Sequence, residues 1–154
     1  MRILIQRVSR AKVSAEGTLL GEIAKGLLVL VGVAKDDNEK DAENLAVKTV
    51  NLRIMSDKEN KMNLSVLDVT GEILAVSQFT LYADTSAGRR PSFINSAEPA
   101  KAEKLYEYFI ECLKKQGVKK VASGRFGAFM QIELVNDGPV TLIIDTKEKR
   151  GNNP

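Results

Sequence analysis

Leu27-Leu28-Val29-Leu30-Val31-Gly32-Val33 is an unbroken apolar run without a single charged or hydrogen-bonding side chain. It is too short for a typical helix and rich in β-branched residues, so it reads as a strand buried on both faces. Working upstream, residues 18–24 and 11–15 read as short strands around a turn at Glu16-Gly17, and residues 1–9 alternate around Ile3 and Ile5 as a further strand. Downstream, Asp36-Asp37-Asn38 predicts the cap of a helix over about residues 39–53, with Ala42, Leu45, Ala46 and Val50 on its apolar stripe. Residues 56–64 read as a polar loop and residues 72–79 as a strand. A second helix opens at Pro99, where a missing N–H costs nothing. It carries Ala102, Leu105, Tyr106, Phe109 and Leu113 at helical spacing and stops at Gly117. Residues 129–135 and 139–145 read as two strands joined through Asn136-Asp137-Gly138. The order is strands, helix, strand, helix, strands. It predicts a single α+β domain with a mostly antiparallel, barrel-like sheet and two packed helices.

Composition narrows the chemistry. The 154 residues suit one domain, and 44% apolar with 28% charged is the balance of an ordinary globular chain. No apolar stretch reaches the ~18 residues of a membrane span. The opening MRILIQRVSR lacks the apolar run and cleavage site of a secretory signal, so a cytoplasmic location is expected. Histidine is absent and cysteine occurs once. The chain therefore offers no Cys/His zinc site, no internal disulfide and no nucleophile activated by imidazole. Proton transfer near neutral pH falls to a carboxylate, Lys, Tyr, water or the substrate. The formal charge of +3 permits a polyanionic partner without requiring one.

No GxGxxG, P-loop or HExxH motif is present. Asp36, Asp37 and Glu39 are a conceivable metal cluster, but acids gather at helix N-termini for electrostatic reasons, and neither metal nor cofactor is expected. Cys112 sits at the edge of the second helix's stripe and reads as a small hydrophobe. Two segments stand out. Ser77-Gln78-Phe79-Thr80 ends an otherwise apolar strand with two hydroxyls and an amide, either as a structural cap or facing a ligand. In Asn136-Asp137-Gly138-Pro139-Val140-Thr141, glycine permits close approach and the X-Pro bond has a small cis penalty, which fits a tight turn or a contact surface.

Taken together, these segments resemble the D-aminoacyl-tRNA deacylases, also called D-tyrosyl-tRNA deacylases. The likeness runs through MRILIQRVSRAKV, SQFTLYAD, GRRPSF, AEPAKAEKLYEYF and SGRFGAFMQIELVNDGPVT to the closing strand, and covers residues 1–146. Residues 147–154 carry no such signal and are expected to be a flexible tail. The resemblance implies a homodimer with its active site at the interface. Ser77, Gln78, Phe79 and Thr80 would line the pocket for the 3′-terminal adenosine of a charged tRNA, with Phe126 and Met130 near the adenine. Gly138 and Pro139 would form a Gly-cis-Pro element entering the other subunit's site, held by Arg7.

The implied reaction is hydrolysis of the ester between a D-amino acid, or glycine, and the terminal ribose, releasing free amino acid and tRNA as chiral proofreading. Carbonyls of Gly138 and Pro139 would receive the α-ammonium; an L side chain would then strike main chain while a D side chain points to solvent. Either Thr80 acts as nucleophile or the substrate's 2′-OH assists a water, with N–H groups at Phe79 and Thr80 holding the oxyanion. The competing expectations are a Thr80-dependent esterase of small esters and a non-catalytic nucleic-acid-binding module. Arg89, Arg90, Lys114-Lys115 and Lys119-Lys120 are candidate contacts to the tRNA body.

Overall fold

A computed structural model describes residues 1–147. The predicted tail falls, from residue 148 onward, outside the described residues. The central strand is β1 (Arg2–Ala15), followed by β2 (Thr18–Ile23) and β3 (Gly26–Gly32). All three match the strands read from the sequence, except that residues 1–9 and 11–15 form one continuous strand. Its hydrogen-bonding register slips near Val8 and Arg10, which bends it without ending it.

After β3 the chain enters α1 (Glu39–Asn51). Asn38 caps it, accepting from the Lys40 N–H at 2.9 Å, while Asp41 reaches back to the Asn38 N–H at 2.9 Å. Residues 56–64, expected as loop, contribute a small hairpin of β4 (Met55–Ser56) and β5 (Met62–Leu64). Asp57 organises its turn, accepting from the N–H groups of Glu59 and Lys61, a side-chain device that hydropathy does not register. β6 (Glu72–Ser77) follows, then α2 (Pro99–Lys115), β7 (Val121–Ser123) and β8 (Gln131–Asp145).

The sheet runs β2-β1-β3-β6-β7, with β8 on the other side of β1. β1 pairs antiparallel with β2, β3 and β8, whereas β3–β6 and β6–β7 are parallel. Each parallel step is bridged by a helix, as parallel connections require. β2 and β7 approach at Gly21, where an added Cβ would stand 3.0 Å from the Ser123 carbonyl oxygen, and this nearly closes the barrel.

The run 27–33 is buried on both faces, as read from its composition. Leu27, Val29 and Val31 face the helices with Leu45, Phe109 and Leu113, and Leu28 faces the barrel interior with Val8, Val13, Leu74 and Val76. The α-ammonium of Met1 is buried against Asp37 Oδ1 at 2.6 Å, and Asp37 Oδ2 accepts from the Ala34 N–H at 2.6 Å. Lys147 meets both Asp36 and, at 3.4 Å, Asp37, and Lys104 meets Glu39 at 3.3 Å, so each of these three carboxylates is paired with a cation. No helix among the described residues is long and apolar enough to cross a membrane.

The segment read as two strands and a turn is the single strand β8. Both halves pair with β1 in the same direction. Between Thr141, opposite Gln6, and Asn136, opposite Val8, the chain makes an excursion from the ladder instead of reversing. The Asn136 side chain closes it: Oδ1 accepts from the Val140 N–H at 2.8 Å, and Nδ2 donates to Thr141 Oγ1 at 3.1 Å. A Gly-Pro pair signals a break in the ladder, but a bulge and a hairpin break it alike.

Candidate active site

The three parallel strands β3, β6 and β7 end on one side of the sheet, and a cavity of about 550 Å³ opens there. Such crevices outside the carboxyl ends of parallel strands are where ligands bind in α/β sheets, because the chain leaves them in divergent directions. Val31 and Val33 come from the end of β3, Ser77, Gln78 and Phe79 from the end of β6, and Phe126 and Met130 from the segment after β7. The first turn of α2 supplies Pro99 and Ala102.

At the end of β6 the backbone turns abruptly. Gln78 donates its N–H to Val31 O at 2.8 Å, still in the ladder, and residues Phe79–Tyr82 form a 3₁₀ turn rather than the strand expected to run to 79. The first N–H groups of such a turn, those of Phe79 and Thr80, have no acceptor within it. The turn is braced from several sides. Ser96 Oγ donates to Phe79 O at 3.2 Å, the Phe93 ring stands edge-on to Phe79 at 4.9 Å, and Arg2 Nη1 donates to Leu81 O at 2.8 Å.

Thr80 does not line the cavity; it is exposed beside it, and its hydroxyl oxygen accepts from Gln78 Nε2. An amide is no base at neutral pH whichever end faces the hydroxyl. Thr80 thus has a partner that orients it and none that would take its proton.

Tyr106 is a residue that sequence reading placed only in the core stripe. It is buried, donates from its hydroxyl to Ala75 O at 2.8 Å, and packs its ring 6.1 Å from Phe126. Burial pushes its phenol up to about 12, so it stays a neutral donor throughout the physiological range. Neither Tyr106 nor Arg2 carried a sequence signal beyond strand and helix periodicity.

The remaining predicted residues cluster elsewhere. Arg7 is buried, and its guanidinium donates from Nε to Asp137 O at 2.8 Å and from Nη1 to Ile54 O at 2.8 Å and Ser56 Oγ at 3.2 Å. It ties the β8 excursion to the β4 hairpin. Gly138 has a φ of +147°, and an added Cβ would stand 2.8 Å from Val140 Cγ2; the Gly138-Pro139 peptide is cis. Both residues are exposed.

The two clusters do not meet within one chain. Ser77 pairs with Val31 and Val31 with Ile3, so Arg7 lies two strands across and four residues along, on the order of 15 Å away at ~3.3 Å per residue and ~4.8 Å per strand. Gly138 and Pro139 lie beyond Arg7, on the far side of β1.

A family model described as D-Tyr-tRNA(Tyr) deacylase matches residues 4–145. The chain belongs to the D-Tyr-tRNA(Tyr) deacylase family. A D-aminoacyl-tRNA deacylase of Thermosipho melanesiensis is 57% identical over 148 residues, covering 96% of this chain and 99% of the relative. One from a Geobacillus species is 53% identical over 152 residues, covering 99% of each. A solved structure of a "c-Myc DNA Unwinding Element Binding Protein" superposes with a TM-score of 0.89 at 38% identity, over 95% of this chain and 99% of its own. A second solved structure, of "a probable eukaryotic D-amino acid tRNA deacylase", has a TM-score of 0.79 at 15% identity and covers 93% of this chain and 97% of its own; at that identity it shows the shared fold alone. Across the D-Tyr-tRNA(Tyr) deacylase family match, both site clusters fall inside the matched residues.

Proposed function

We propose that this chain, a deacylase by family, hydrolyses the ester of D-aminoacyl-tRNA, and of glycyl-tRNA, to free amino acid and tRNA in the cytoplasm. The observation that carries the reading is the end of β6, where Ser77, Gln78 and Phe79 border a 550 Å³ cavity beside two N–H groups left open by the 3₁₀ turn. The terminal adenosine enters the cavity, its base near Phe126 and Met130. The scissile carbonyl lies toward Phe79 and Thr80, whose N–H groups stabilise the oxyanion.

The Gly138-Pro139 element acts in trans. It is too far from its own chain's cavity, so a homodimer that lends it to the neighbouring cavity completes the site. Main-chain carbonyls there hold the α-ammonium by charge-assisted hydrogen bonds and leave no room for an L side chain. Glycine passes the same test because it has no side chain to place.

The nucleophile is water, assisted by the 2′-OH of the terminal ribose. Thr80 lacks a base, and its hydroxyl is held by the Gln78 amide. The expected results are hydrolysis of D-tyrosyl-tRNA, with L-tyrosyl-tRNA and D-tyrosine ethyl ester left intact. Thr80→Ala should keep substantial turnover, within about tenfold of the parent. A substrate with a 2′-deoxy terminal ribose should not turn over. Full activity on that substrate overturns the 2′-OH role, and rapid cleavage of the ethyl ester favours a Thr80-dependent esterase. Likeness to a DNA-element binding protein at 38% identity supports a second reading, a nucleic-acid-binding module. Binding of D-tyrosyl-tRNA without cleavage would favour it.

A further inference from the structure

The segment between β7 and β8 has two faces, and the cavity uses only one. Along residues 125–130, Phe126, Ala128 and Met130 are half-buried while Arg125, Gly127 and Phe129 are exposed. A tight turn fixes this alternation: Ala128 N–H donates to Arg125 O at 3.2 Å, with Gly127 at φ +73°. Tyr106 braces Phe126 from below. The outward ring of Phe129 therefore stands on a held rim rather than on a loose loop.

Phe129 is 99% exposed, the highest value among the large apolar side chains described. A phenyl ring left wholly in water offers a free π-face for stacking. It stands at the mouth of the cavity. Arg125, exposed on the same outward edge, enters no salt bridge among the described residues. An exposed ring and an exposed guanidinium at the exit of a cavity are the two groups that single-stranded nucleic acid uses, one for a base and one for a phosphate.

Resting on the reading that the cavity takes a terminal adenosine, we propose that this edge is a second nucleotide subsite. The base preceding the adenosine stacks on Phe129, and Arg125 pairs with the backbone phosphate. Stacking accepts any base, so the subsite contributes affinity for a 3′ end without reading its sequence.

The test compares two substrates, the D-tyrosyl ester of adenosine and the D-tyrosyl ester of the dinucleotide cytidylyl-adenosine, on the intact protein. The wild type should prefer the dinucleotide in kcat/KM, mainly through KM. Phe129→Ala should lower that preference by roughly tenfold, Phe129→Leu nearly as much, and Phe129→Tyr should restore it. Arg125→Ala should reduce the salt dependence of KM for the dinucleotide by about one phosphate contact. A preference unchanged in Phe129→Ala, with the wild type active on both esters, overturns the subsite and leaves the deacylase reading standing. Light scattering supplies another arm: a lower mass for Phe129→Ala than for wild type would make the ring a contact between copies and overturn the subsite. A wild type that hydrolyses neither ester nor D-tyrosyl-tRNA removes both readings together.

Discussion

Arg7 commits one buried guanidinium to three oxygens on two different segments, Asp137 O, Ile54 O and Ser56 Oγ. A lysine ammonium is a point donor and cannot span that fork. Arg7→Lys should therefore leave a buried carbonyl unpaired and lower stability by about 1–3 kcal/mol. Urea denaturation measures that loss. Deacylation should fall further than stability does, because the excursion holding Gly138 and Pro139 loses its anchor. Equal losses in both would mean that Arg7 is merely structural. At this scale the sequence was only partly legible. Polarity at the end of a buried strand singled out Ser77 and Gln78 on physical grounds. Arg7 had no such mark, since an arginine in an alternating strand normally faces water; only the family likeness pointed to it. Tyr106 looked like core and is core, but its hydroxyl bond to Ala75 depends on a tertiary neighbour 31 positions away.

Two polar contacts among the described residues link the helices: Lys104 meets Glu39 at 3.3 Å, and the Tyr108 hydroxyl donates to Glu43 Oε1 at 2.7 Å. This bond, with Lys40 beside it, holds the Glu43 carboxyl below its ordinary 4.5. Because the folded value is depressed, the contribution to stability is present above pH 4.5 and is lost as pH falls through the lower folded value. The difference in urea midpoint between wild type and Tyr108→Phe should be constant near neutrality and shrink in acid, below the ordinary 4.5. A difference that grows on acidification would contradict the direction of the Glu43 shift. Both helices were readable from their caps and stripes, down to Asn38 and Pro99, because capping and periodicity are local. β8 was not. Whether a chain reverses at Gly138-Pro139 or only bulges depends on what β1 offers on both sides of the break, and on Asn136 closing the loop onto Val140. Neither fact is local to the segment.

Across the whole molecule, the sheet leaves part of one face bare. Leu4 pairs across to Leu30 on one side and Ile143 on the other, and Ile143 is 60% exposed. With the distant Gly138-Pro139 element, this apolar row fits the pairing of two copies. Ile143→Asp should reduce the mass measured by sedimentation and lose deacylation in parallel, without a large loss of monomer stability, since the residue is already exposed. Retained activity in a monomeric variant would contradict a site shared between chains.

On the proposed shared site, the gap between the Ser77–Thr80 corner and the Arg7-clamped excursion would make each polypeptide half a catalyst. Two proteins, one crippled at Gln78 and the other at Gly138, would each be inert in its own tube. Unfolded and refolded as a blend, they would yield some heteromeric pairs in which an undamaged corner faces an undamaged excursion. Turnover would reappear from two dead preparations, in proportion to how often unlike chains find each other.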